Sequence, residues 1–352
     1  VKAVLVGFGH AGRVFHAPLI AHDPDLELAA VVVRSPDRQR AARSDCPSAV
    51  VVATLEEALQ AVPDAELAVI ATPPATHAAL AAAALGRGLH VVVEKPFVVH
   101  AEDGEWLIEA ARAARRLLVP FHNRRWDGDF LTVQALVVSG ALGRVRIVES
   151  AMESWKPSIT KPWKRDAGTD DGGGVLYDLG SHLIDQALVL SGPAVPVAAE
   201  LRLDRDDAAA EDSLFLVLEH DGGVTSHLRA GTLVPLARPR FHVTGTIGGL
   251  TITGTDPQEE LLAAGVLPED TAAAHEVGSG EGERGLLGRA GTTEPVRVGP
   301  GTYPSFYAGV VAAIRGIGPP PVAAEDAVAV VRIIEQVHAS FPVRRATGHP
   351  PD

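Results

Sequence analysis

Three glycines, at positions 7, 9 and 12, constrain this chain more than any other feature, because an apolar run (residues 1–6) precedes them and a helix-forming stretch follows. In a G-x-G-x-x-G turn the first glycine permits a tight turn, the second lets an anion approach the backbone, and the third lets helix pack closely on strand. Unpaired N–H groups at the helix start then face the anion, with the helix dipole behind them. The spacing alone equally describes a bland turn. With the strand before it and the helix after it, it predicts dinucleotide binding through Gly7, Phe8, Gly9, His10, Ala11 and Gly12.

The alternation continues downstream. Apolar runs at 28–33, 50–53, 67–71, 90–93 and 117–121 read as strands buried on both faces, and stretches at 12–22, 36–43, 55–62, 74–85 and 102–115 as the helices between them. This pattern predicts an α/β chain with an N-terminal Rossmann domain, a doubly wound parallel sheet. The rhythm changes near residue 122. Helices are expected at 130–139 and 173–190, and strands follow one another at 195–205, 212–219, 224–230, 240–246 and 249–253. Strands in direct succession predict a C-terminal α+β domain with a large, mostly antiparallel sheet. Residues 256–301 read as a long Gly-rich loop with one short helix, and 305–315 and 324–341 as closing helices. The expected division is 1–122 for the dinucleotide and 123–352 for substrate binding and oligomerisation.

Where the second strand ends, a site for NAD places a carboxylate on the adenosine ribose. Here that position carries Arg34 and Ser35, with Arg38 one helical turn on. Two guanidiniums and a hydroxyl suit a 2′-phosphate and predict NADP. The same residues also describe a solvated helix start, and Asp37 keeps NAD as the alternative.

Composition narrows the partners. At 352 residues the chain is long enough for two domains, and 44 Asp+Glu against 31 Lys+Arg leave a formal charge of −13. That field opposes binding to nucleic acid or an anionic membrane surface. A single cysteine, Cys46, makes neither an intramolecular disulfide nor a cysteine zinc site. No leader pattern opens the sequence and no apolar run reaches membrane-spanning length, which predicts a cytoplasmic protein. In the strand expected at 212–219, Leu214, Leu216 and Leu218 alternate with Phe215 and Val217, so both faces are apolar. A second apolar face predicts a homo-oligomer, a dimer or tetramer.

Asp178 and His182 are four apart in a helical stretch, with Asp185 one turn on. A carboxylate can orient an imidazole and raise its basicity, as a proton acceptor needs, but such a pair more often caps, packs or faces solvent. Lys95 follows the fifth strand at the carboxyl edge of the sheet, where ligands bind; an isolated lysine is otherwise a surface residue.

Taken together, GFGHAGRVFHAPLI at 7–20, IATPPATH at 70–77, EKPF at 94–97 and GGGVLYDLGSHLID at 172–185 resemble the glucose–fructose oxidoreductase/inositol dehydrogenase (Gfo/Idh/MocA) family. FHNRRWDGDF at 121–130 and the G-x-Y-x-x-F-Y pattern at 301–307 are most similar to its NADP-dependent scyllo-inositol dehydrogenase branch. The resemblance implies hydride transfer between a nicotinamide and a hydroxyl or keto group of a cyclitol or sugar. It implies that His182 accepts the hydroxyl proton, Asp178 supports it and Lys95 binds the reacting oxygen, without a metal. It adds Ala71, Thr72, Pro73, His77, Glu94 and Lys95 to the cofactor edge. Asn123, Arg124, Trp126, Trp163 and Tyr177 become candidates for the substrate wall, although packing explains each equally well. A regulator that has lost its chemistry and an NAD-dependent glycosidase are the competing functions.

Overall fold

The computed structural model describes residues 1–159, 165–271 and 284–345. Its packing gathers the chain into two compact units that do not follow chain order: Val1–Asp127 with Pro257–Ser279 and Pro300–Val328, and Gly128–Asp256 with Gly280–Gly299 and Ala329–Asp352.

The first unit holds six strands, β1 (Lys2–Val6), β2 (Glu27–Val32), β3 (Val50–Val52), β4 (Leu67–Ile70), β5 (His90–Glu94) and β6 (Leu118–Phe121), in the order β3-β2-β1-β4-β5-β6. Every pairing is parallel. All four residues of β4 and of β6 are buried, as strands covered on both faces require. The connections are α1 (Ala17–His22), entered through a π turn at Gly12–His16, then α2 (Pro36–Asp45), α3 (Leu55–Ala61), α4 (His77–Gly86) and α5 (Ala101–Ala114). A capping box starts α3: the Thr54 hydroxyl accepts the Glu57 N–H, and the Glu57 carboxylate accepts the Thr54 N–H. The later helix Pro304–Ile314 joins this unit because Tyr303, Phe306, Tyr307 and Val310 are buried in one cluster with Phe15, Leu19 and Phe121.

The second unit is built on nine strands: β7 (Val145–Glu153), β8 (Ala194–Leu203), β9 (Ser213–His220), β10 (Thr225–Gly231), β11 (Phe241–Gly245), β12 (Gly249–Ile252), β13 (Gly285–Arg289), β14 (Thr292–Val296) and β15 (Val343–Arg345). Their order is β14-β13-β12-β11-β7-β10-β9-β8-β15, antiparallel except for β7 with β10 and β8 with β15. α6 (Gly128–Val138) contributes Phe130 and Val133 to a core with Val148, Phe241, Val243 and Leu250.

Two readings of the sequence are corrected here. β7 was not foreseen, because it carries Arg146, Glu149 and Glu153, so no continuous apolar run marks it. The stretch 256–301 is more than a loop with one short helix: beside the helix Gln258–Ala263 it forms the hairpin β13–β14. The hairpin turns at Ala290-Gly291 with φ of 46° and 85°, the two positive values that a tight two-residue turn needs, supplied here by an alanine that does not advertise it. Among the described residues no helix is long and apolar enough to cross a membrane.

Candidate active site

Sheet register places the cofactor-edge residues. Val6 pairs with Val32 and with Ile70, and Ile70 with Val93, so β2, β1, β4 and β5 end side by side and their following loops share one edge. The strand order reverses at β1, and ligands of open α/β sheets bind outside the carboxyl ends at such a point.

The three glycines perform three different tasks. Gly7 has φ of +104°, and a Cβ there would stand 2.3 Å from the Ala71 carbonyl oxygen. A Cβ on Gly12 would stand 2.2 Å from the Gly7 carbonyl oxygen, so this glycine lets the helix press on the turn. On Gly9 the nearest atom to a Cβ is Arg38 Nη1 at 3.9 Å, which leaves the backbone open to a ligand. A cleft of about 370 Å³ lies against it, lined by Phe8, Gly9, His10, Arg13, Val14, Asp37, Arg38 and Ala41. An open glycine backbone beside a guanidinium fits the pyrophosphate and phosphate groups of a dinucleotide. Ala11 continues this turn, partly exposed.

At the end of β2, the Gln39 amide donates to the Val33 carbonyl at 2.9 Å, tying the start of α2 to the strand. Arg34 and Arg38 are exposed and Ser35 is half-buried at the head of α2. Asp37, the acid that favours NAD, forms an ion pair with Arg40. On the neighbouring loop the Thr72 and Thr76 hydroxyls are hydrogen-bonded at 2.7 Å, with Ala71 buried and Pro73 exposed.

Two residues assigned to this edge face inward instead. His77 has no exposed surface, and its ring nitrogens meet the Pro96 carbonyl at 2.9 Å and the Thr72 carbonyl at 2.8 Å. It therefore clamps the loop after β4 to the segment after β5 rather than lining the cleft. Glu94 is also buried; its Oε1 lies 3.1 Å from His16 Nε2, and its Oε2 accepts the Lys95 backbone N–H at 2.9 Å. Burial pushes the Glu94 carboxyl up, but the hydrogen bond and charge of His16, with the charge and amide of Lys95, hold it below the ordinary glutamate value. Lys95 itself is partly exposed.

Of the candidate wall residues, Asn123 and Tyr177 are buried and Trp163 lies outside the described residues. Trp126 packs against Phe306, ring centroids 5.5 Å apart. Arg124 is held by two carboxylates, Asp127 at 3.2 Å and Glu259 at 2.8 Å. Burial opposes its charge, and Asp127, Tyr303 and Glu259 more than compensate, so its affinity for the proton rises. Glu259 also meets His10 Nε2 at 3.1 Å, and Tyr303 donates to Asp127 at 2.7 Å. The hydrogen bond from His10 outweighs burial and, with the charges of Arg124, His10 and Lys95, lowers Glu259 to about 2. Sequence reasoning missed Glu259 altogether. It stands 249 residues from His10, in a stretch without periodicity, and no local signal marks it.

In the second unit, Asp178, His182 and Asp185 do not share one uniform helix. A π turn spans Leu176–Gly180 and passes into α7 (Ser181–Ser191), so the step from Asp178 to His182 crosses a change in helical pitch. Single π turns concentrate at functional sites. Asp178 is half-buried, His182 and Asp185 are buried, and the Ser181 hydroxyl donates to the Tyr177 carbonyl at 2.7 Å. The Tyr177 ring packs against His338, centroids 5.7 Å apart, and burial, then Glu335, Glu211 and Asp170, keep its phenol protonated. Tyr177 is a core residue of this unit.

Comparison with known proteins agrees with this architecture. Residues 1–122 match the family model described as "Oxidoreductase family, NAD-binding Rossmann fold", and residues 130–251 match the "GFO/IDH/MocA C-terminal domain". The uncharacterized oxidoreductase YdgJ of Escherichia coli (strain K12) is 37% identical over 95% of this chain and 94% of its own. The scyllo-inositol 2-dehydrogenase (NADP(+)) IolW of Bacillus subtilis (strain 168) is 34% identical over 98% of this chain and 95% of its own. The solved structure of yvaA from Bacillus subtilis superposes with a TM-score of 0.85 at 33% identity, covering 95% of this chain and 94% of that one.

Proposed function

The chain belongs to the GFO/IDH/MocA family of oxidoreductases with an NAD-binding Rossmann fold, and we propose that it is an NADP-dependent dehydrogenase or reductase of a cyclitol or sugar. The observation that carries the reading is the pair Arg34, just after β2, and Arg38, in the first turn of α2: both are exposed and without a carboxylate partner among the described residues, and Arg38 stands beside the open Gly9 backbone. Two guanidiniums offer paired donors to a 2′-phosphate. The likeness to a relative whose name specifies scyllo-inositol and NADP(+) supports the substrate class and the cofactor.

Gly7, Gly9 and Gly12 hold the pyrophosphate, Arg34, Ser35 and Arg38 the adenosine end, and Ala71, Thr72 and Pro73 the neighbouring edge. The nicotinamide supplies the hydride acceptor or donor. The chain supplies the proton chemistry: Lys95 donates a hydrogen bond to the reacting oxygen, His182 takes the hydroxyl proton in the oxidative direction, and Asp178 favours the protonated imidazole. The protein works in the cytoplasm as a homodimer or homotetramer, joined through the less covered face of β8, β9 and β10.

The test is turnover of NADP with scyllo- and myo-inositol and a panel of sugars by the parent protein and its His182→Ala and Lys95→Ala variants. Each substitution should lower kcat by about 10²–10⁴-fold, the usual contribution of an acid–base group. NADPH affinity of His182→Ala should stay within about threefold of the parent. Parental kcat in folded His182→Ala removes that residue from the chemistry.

A further inference from the structure

Three residues with no role in the reading above form one buried polar chain that ends at Lys95. Tyr307 and His16 have no exposed surface and Glu94 has almost none. The Tyr307 hydroxyl lies 2.6 Å from His16 Nδ1, His16 Nε2 lies 3.1 Å from Glu94 Oε1, and Glu94 Oε2 accepts the Lys95 N–H at 2.9 Å. The residues come from the π turn after the glycine loop, the end of β5 and the helix Pro304–Ile314.

The proton positions follow from donor and acceptor capacity. An ionised carboxylate only accepts, so His16 carries its proton on Nε2. The Tyr307 hydroxyl, which can donate or accept, meets the other ring nitrogen of His16, Nδ1. Burial, with the Glu94 charge adding to it, keeps the Tyr307 phenol protonated, and the carboxyl of Glu94 is held low, so Glu94 serves as an acceptor for both His16 and the Lys95 N–H. Aromatic rings wall the chain in: Phe121 lies 4.4 Å from His16 and 4.7 Å from Phe306, centroid to centroid. In such surroundings an unmatched polar group is costly, which favours a single arrangement over several.

We infer that Tyr307, His16 and Glu94 are positioning residues that lock the backbone of Lys95 and so aim its side chain. The chain is too buried to exchange protons with solvent; it orients rather than relays. A catalytic group displaced by about 1 Å can lose on the order of 10²-fold in rate, so a rigid seat for the Lys95 peptide bears directly on turnover. This inference rests on the role proposed for Lys95.

The experiment combines kcat with hydrogen exchange at the Lys95 amide, read in the protein without added substrate. In Glu94→Gln one arm of the carboxylate becomes an amide donor, so it loses its acceptor for either His16 Nε2–H or the Lys95 N–H. Lys95 amide exchange should quicken about tenfold and kcat should fall about ten- to a hundredfold, with NADPH affinity within about threefold. Tyr307→Phe removes one oxygen and keeps the ring; both readouts should move the same way by about three- to tenfold. Parental kcat and parental Lys95 exchange in Tyr307→Phe and in any folded Glu94→Gln overturn the inference. Lys95→Ala in the same assay separates the two ideas. If it keeps its turnover, the catalytic role of Lys95 falls, while the exchange data still report whether the peptide is locked.

Discussion

The two sheets of this protein treat their faces in opposite ways. In β4, Leu67, Ala68, Val69 and Ile70 are all fully buried, so both faces of the first sheet are covered and polar chemistry is confined to its carboxyl edge. In β9, Leu214, Leu216 and Leu218 are buried while Phe215 and Val217 remain partly exposed and Glu219 is exposed. That less covered face is not purely apolar: Arg229 stacks over the Phe215 ring at 4.1 Å, and exposed Val195 and Val197 on β8 adjoin it. A sheet covered on both sides by its own helices keeps ligand groups to one line; a sheet covered on one side keeps a whole face for other partners.

The largest expected effect tests that difference by deletion. Leu216→Ala should destabilise the second unit by about 2–5 kcal/mol, and Ile70→Ala the first by a similar amount. Val217→Ala, one residue along β9, should cost less than about 1 kcal/mol in a free subunit. Denaturant melts of all three decide it. A Val217→Ala cost equal to that of Leu216→Ala, rising with protein concentration, would show that a second copy covers this face.

The next effect sharpens the claim that the first sheet works through its edge. Arg34→Ala should weaken NADPH by roughly ten- to a hundredfold, the loss of one charge-assisted hydrogen bond of about 1.5–3 kcal/mol, and leave NADH almost unchanged. Fluorescence titration with both cofactors checks it, and equal parental affinities for the two would contradict the assignment to NADP.

The smallest effect concerns pH. Glu259 is lowered to about 2 by the hydrogen bond from His10, which outweighs burial, and by the nearby positive charges, against an ordinary value of 4.5. A depressed carboxylate stabilises the folded state fully above its unfolded value, and that contribution fades as pH falls toward 2. The pair is partly solvated, so Glu259→Gln should lower the melting temperature by no more than about 2 °C at pH 7, with the gap closing below pH 4. Thermal melts across this range, showing a gap that widens instead, would reverse the assignment.

The parallel sheet, its helices and the glycine turn were legible in the sequence because each depends on neighbours within a few positions. Strand burial on both faces writes an uninterrupted apolar run, and a tight turn writes a glycine. β7 was not legible, because the charges Arg146, Glu149 and Glu153 interrupt its apolar residues and leave neither a continuous run nor a regular alternation. His77 and Glu94 lie on the loops that the sequence pointed to, but only the structure shows their side chains buried, since spacing reports which loop a residue occupies and not which way it points.

What the sequence by itself determined is the class of each sheet and the glycine turn, which follow from local pattern; Lys95, Asp178 and His182 stand out in it only through the family resemblance. The tertiary structure alone decided that residues 257–279 and 300–328 return to the first unit, that Glu259 meets His10 and that Tyr307 reaches His16. The physical reason is that these contacts join residues hundreds of positions apart. Their selection rests on burying aromatic surface and satisfying buried polar groups, and neither constraint leaves a periodic mark on the chain.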